Sequence, residues 1–67
     1  MENDILSIEY EMEGNPHIVR AGEFGVTGIG THEDYDRNVW FDVFGEHGRL
    51  LRSIAPRAIY SIQYKER

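Results

Sequence analysis

Apolar and polar residues alternate strictly near the start of the chain. In Ile5 to Met12, ILSIEYEM, the residues Leu6, Ile8, Tyr10 and Met12 fall on one face and Ser7, Glu9 and Glu11 on the other. A period of two is that of a half-buried strand. A helical register through Ile5, Ile8 and Met12 would instead put Glu9 on the apolar stripe. The following EGNP, Glu13 to Pro16, carries the residue types that close turns, so the strand is expected to fold back there. From His17 to His32 the glycines Gly22, Gly25, Gly28 and Gly30 interrupt β-branched residues. Glycines within a strand pattern mark bulges and bends, which predicts one long, strongly bent strand or two short ones in line. The acidic segment EDYD, Glu33 to Asp36, then reads as a loop.

The most apolar stretch is NVWFDVF, Asn38 to Phe44. As a central strand it turns Val39, Phe41 and Val43 one way and Trp40, Asp42 and Phe44 the other, so its second face is expected to be only partly covered. GEHG, Gly45 to Gly48, is a hairpin loop. RLLRSI, Arg49 to Ile54, returns as a fourth strand, a tight turn forms at Pro56, and AIYSIQY, Ala58 to Tyr64, is the fifth. Five short strands, glycine-rich turns and no helical period predict an all-β domain over residues 1–67: a small five-stranded, strongly bent antiparallel barrel.

Sixty-seven residues allow one domain and no cleft between lobes. So small a core needs a supplement from disulfides, a metal or a partner subunit. Cysteine is absent, and His17, His32 and His47 lack the short spacings of a structural zinc site. No cofactor is expected, and association with further copies is the remaining supplement. The apolar runs are too short to span a membrane, and MENDILS lacks the basic-then-apolar order of a signal peptide. A cytoplasmic location is the expectation.

Charge is divided along the chain. Residues 1 to 46 hold eleven acids against Arg20 and Arg37, whereas residues 47 to 67 hold Arg49, Arg52, Arg57, Lys65 and Arg67 against Glu66. The basic end suits a polyanion, the acidic front suits a basic protein partner, and the two suit each other in neighbouring copies. A solvated surface with charges scattered by chance is the plain alternative.

Catalytic chemistry finds no support. Asp34, Asp36 and Asn38 have the alternate spacing that opens a calcium loop, but Val39 and Gly45 stand where its glycine and bidentate glutamate belong. Gly25, Gly28 and Gly30 lack the helix and lysine of a phosphate-binding loop. Ser7, Ser53 and Ser61 sit in no nucleophile signature, and the paired carboxylates are neighbours in a solvated loop. The expectation is a binding module, not an enzyme.

One pattern stands above this background. In VTGIGTHEDYDRNVWF, Gly28 is followed six residues later by Asp34, ten later by Asn38 and thirteen later by Phe41; in SIAPRAIYSI, the apolar positions are Ile54, Ile59 and Ile62. The two segments cover about half of the chain and resemble, in order, the two motifs of the Sm-like family, which includes the Lsm proteins and bacterial Hfq. The resemblance implies an Sm-like or SH3-like barrel in which the glycine bends the second strand, Asp34 and Asn38 brace the following loop, and the isoleucines plug the core. It also implies a homo-oligomer joined through the edges of the last two strands, with RNA as ligand. Departures fall on the ligand positions. Asp36 stands where the family often stacks a side chain on a base, Ala55 and Pro56 replace an Arg-Gly pair, and a strand replaces the usual N-terminal helix. Of the RNA positions Asn38 is kept. Tyr35 and Arg57 each adjoin a lost one and carry groups that stack on bases. Arg52 adds charge at the basic end. The candidate RNA-binding residues are therefore Tyr35, Asn38, Arg52 and Arg57; the competing reading is a protein-interaction or inhibitor module that uses the acidic surface without nucleic acid.

Overall fold

The computed structural model describes residues 5–65. It is all-β, with six strands: β1 (Ile5–Met12), β2 (Asn15–Arg20), β3 (Gly28–Glu33), β4 (Val39–Phe44), β5 (Leu50–Ile54) and β6 (Ile59–Tyr64). They form two antiparallel three-stranded sheets, ordered β2-β1-β6 and β3-β4-β5. The expected five-stranded closed barrel is thus corrected to six strands in two sheets. The difference lies in residues 17 to 32, which form two short strands that are not in line but belong to different sheets.

The chain changes sheets at residues 21–27. Ala21 N–H donates to Leu6 O, Gly22 N–H to Val26 O and Val26 N–H to Glu23 O, while Thr27 N–H already joins Phe44 O of the second sheet. Gly22 and Gly25 have φ of +94° and +81°, values that cost a residue with a Cβ. Val26 turns inward to anchor the bend. The first turn is tighter than EGNP suggests: Met12 pairs with Asn15, so Glu13 and Gly14 alone make the loop. Both have positive φ, as a two-residue type I′ hairpin requires. Pro16 is thereby placed inside β2, an outer strand, where a missing N–H is tolerated.

Between the sheets lies a small core of Ile5, Ile8, Tyr10, Val26, Val43 and Ile54, with Phe41, Ile59 and Ile62 partly buried against it. The β1 face differs from strict alternation. Ile5 pairs with Tyr64 but Ser7 with Gln63, so Leu6 is the extra residue of a bulge. Ile5 therefore joins Ile8 and Tyr10 inside, and Ser7, also buried, bonds Gln63 Oε1. A one-residue bulge shifts the faces on one side of it. Phe41, being only partly buried, is expected to lose about 2 to 3 kcal/mol on replacement by alanine, below the full range for buried aromatics, as urea denaturation would measure.

Candidate functional site

Two features of the β3-β4-β5 sheet bring polar chemistry together. The first is the loop between β3 and β4. Asp34 Oδ1 accepts from the backbone N–H groups of Asp36 and Asn38, both at 2.9 Å, and Asp34 Oδ2 accepts from Trp40 Nε1 at 2.8 Å. The Asp34 N–H donates to Asn38 O. A short carboxylate that bonds the backbone two residues on is a standard way to close such a turn. The Trp40 indole, then the Asn38 amide, hold the Asp34 carboxyl below its ordinary pKa. A depressed carboxylate stabilises the fold above its unfolded pKa of about 3.9 and loses that contribution as pH falls through its folded value. Acidification below pH 4 should therefore release the Trp40 indole N–H, which its proton resonance would report, while Asp34→Asn should abolish that titration.

Tyr35 projects from this braced loop with its side chain fully in solvent (105% relative exposure), and Asn38 is exposed beside it. Phe41 pairs with Ile54, so Asn38, three residues before Phe41, and Arg57, three after Ile54, lie beyond the same end of the sheet. Arg57 sits exposed in the one-turn 3-10 helix Pro56–Ala58. Three of the four sequence candidates are thus brought to one end. Arg52 is not among them: it pairs with Val43 further along β5, and its Nη1 lies against Met12 Sδ at the seam between the sheets. Carboxylates of Glu33, Asp34 and Asp36 surround Tyr35 in sequence, and all belong to the same strand end or loop.

The second feature is the outer face of the sheet, expected from the sequence to be partly covered, on which sequence reasoning missed the cluster around Asp42. Asp42 in the central strand is opposite Gly30 on one side and Ser53 on the other. Ser53 Oγ donates to Asp42 Oδ1 at 2.6 Å, and His32 Nδ1 meets Asp42 Oδ2 at 2.7 Å. Although no second layer of described residues covers this face, Asp42 is only 8% exposed, flanked along β4 by Trp40 and Phe44. His32 also stacks on Trp40, its cross-strand partner, with ring planes 11° apart. The serine contacts the carboxylate rather than the imidazole, so this is not a nucleophile activated by a base. The available signal was an acid inside VWFDVF, a run otherwise suited to a buried strand; its partners, ten and eleven residues away, emerge only from register.

Elsewhere, Glu9 and Glu11 of β1 reach over β6, accepting bonds from Ser61 Oγ and Tyr60 OH. The Glu11 carboxylate raises the Tyr60 pKa. Among the described residues no cluster of three or more metal-ligating side chains occurs, and no helix is long and apolar enough to cross a membrane. Comparison with family models, curated proteins and solved structures found no match to this chain.

Proposed function

We propose that this protein is a non-catalytic binding module that assembles from several copies of itself through the edges of β5 and β6. The observation that carries this reading is the sheet order: β5 ends one sheet and β6 ends the other. An outer strand presents unpaired backbone groups, and natural edges are guarded by charge, proline or bulges. β6, Ile59–Tyr64, contains no charged residue and β5 only Arg52; each strand has a single register shift of its own, and Leu50, Leu51, Tyr60 and Tyr64 on the two strands are exposed. Pairing of β5 in one copy with β6 in the next is head-to-tail and closes into a ring where the rotation per copy permits. The architecture behind the reading is a pair of three-stranded sheets with an Sm-like or SH3-like order of strands, in which β2 and β3 stand in different sheets on either side of the 21–27 bend. Burial of Ile54 and partial burial of Ile59 and Ile62 support it.

Light scattering at micromolar concentration is the test. The expected result is a mass several times 7.8 kDa that falls to the monomer in Ser61→Pro and in Leu50→Lys; the second keeps every backbone donor. A monomer at all concentrations, with intact circular dichroism, would remove the proposal.

A second reading, RNA as the ligand, draws on the placement of Tyr35, Asn38 and Arg57 at one end. It predicts binding to poly(A) or poly(U) that weakens steeply with salt, because neutralised phosphates release counterions. Arg57→Glu should then lower affinity by tenfold or more. Absence of binding at low salt would leave a protein partner for the acidic surface.

A further inference from the structure

The outer face of the β3-β4-β5 sheet holds an acid, Asp42, whose one basic partner among the described residues is the imidazole of His32. Among the described residues the ion pairs are Arg20 with Glu23 and His32 with Asp42, so no lysine or arginine of the described chain neutralises Asp42. A carboxylate removed from water is costly unless it is paired and hydrogen-bonded. Asp42 receives one bond on each oxygen, which leaves half of its acceptor sites unused. It sits between the aromatic rings of Trp40 and Phe44, whose faces attract cations. Beside it, β3 offers glycine at two of the three positions of the same face, His32 being the third. A Cβ at Gly28 would meet nothing within 4 Å, and one at Gly30 would only touch Phe44 Cε2 at 3.5 Å. A partly exposed strip of bare backbone therefore runs past the carboxylate, clear at Gly28 and bordered by the Phe44 ring at Gly30.

The geometry points to this face as a docking site for an arginine side chain of a protein partner, with Asp42 receiving the guanidinium, Trp40 and Phe44 stacking on it, and the Gly28–Gly30 strip admitting the partner's backbone. A guanidinium fits better than an ammonium because it is flat, stacks on rings and gives two parallel N–H groups to a carboxylate. His32 is half-exposed at its side chain and can swing aside to free Oδ2. The surroundings favour a cation: Glu33 ends β3, and Asp34 and Asp36 follow in the adjoining loop, a concentration of like charge that steers basic partners inward. The site is separate from the β5 and β6 edges and does not depend on self-association.

Trp40 is the single tryptophan of the chain, so its fluorescence reads this face directly. The full-length protein would be titrated with the blocked pentapeptide Gly-Gly-Arg-Gly-Gly and with its lysine and citrulline counterparts, with amide shifts recorded in parallel. The expected result is saturable quenching and shifts at Gly28, Gly30, Asp42 and Ser53, at least tenfold weaker for citrulline and weaker for lysine than for arginine. Asp42→Asn should abolish the response. Should that variant fail to fold, Gly28→Val decides, since it fills the strip in a strand that tolerates valine: binding should fall about tenfold while the melting temperature holds or rises. Equal binding of arginine and citrulline would overturn the assignment. So would shifts confined to Glu9, Glu11 and Asp36, the pattern of loose attraction to exposed acids, or unchanged binding by Gly28→Val.

Discussion

Replacing Ile8 by alanine should destabilise this domain by about 3 to 4 kcal/mol, within the range for large aliphatic side chains truncated in a core. Among the described residues Ile8 is the one large side chain with no solvent exposure, 0%, and it lies on β1, the central strand of its sheet, opposite Val19 of β2 and Ile62 of β6. Its neighbours are held by two ladders and have little freedom to collapse into the space. The loss matters because a chain of this size has a net stability on the order of 3 to 10 kcal/mol. Urea denaturation followed by Trp40 fluorescence should show the midpoint moved far toward zero, with an unchanged slope. A variant within about 1 kcal/mol of the parent would mean that Ile8 is not enclosed.

Tyr10→Ala should cost about as much or more, roughly 3 to 5 kcal/mol, and Tyr10→Phe under about 1 kcal/mol. Tyr10 is 7% exposed, packs in the same core and stacks on His17 across the β1–β2 ladder with ring centroids 5.7 Å apart. Its ring also walls the groove that β1 forms with β5 near Arg52 and Ile54. Truncation removes the ring from both core and groove, whereas phenylalanine retains it. The contrast between the two variants, measured by thermal and urea unfolding, separates packing from any contribution of the hydroxyl. A phenylalanine variant as unstable as the alanine one would place the energy in the hydroxyl instead.

Much of the strand map is legible from alternation. Residues 5 to 12, 38 to 44, 49 to 54 and 58 to 64 read as strands, and the structure has strands at Ile5–Met12, Val39–Phe44, Leu50–Ile54 and Ile59–Tyr64. Of the four glycines read as bends, Gly22 and Gly25 mark the change of direction, whereas Gly28 and Gly30 lie in the regular β3 ladder with β4. Illegible were features that depend on contacts made later. The Leu6 bulge exists because of how β1 pairs with β6, 57 residues downstream at Gln63, and local pattern carries no trace of it. Nor does it show that the bent region divides between two sheets. The acidic loop illustrates a mixed outcome. Asp34 does brace it through its carboxylate, but Asn38 contributes its backbone N–H and C=O to that brace, which leaves the named side-chain role at Asn38 an expectation for the RNA reading. His32 shows no metal-site spacing in the sequence; on β3 it becomes the partner of a shielded acid.

The connectivity of the sheets bears on how the chain folds. β3, β4 and β5 are consecutive in sequence and form a meander joined by short loops, whereas β1 meets β6 only when Ile5 finds Tyr64. Local pairings close small loops and distant ones large loops, with an entropy cost that grows with length. The meander should therefore assemble early, and the β1–β6 ladder should be the late, rate-limiting closure. The same ladder sets the two ends of the described chain side by side. A circular permutant that links them through a short glycine-serine segment and opens the chain at Gly48 would exchange that distant pairing for a hairpin, and it should fold faster than the parent while keeping both sheets.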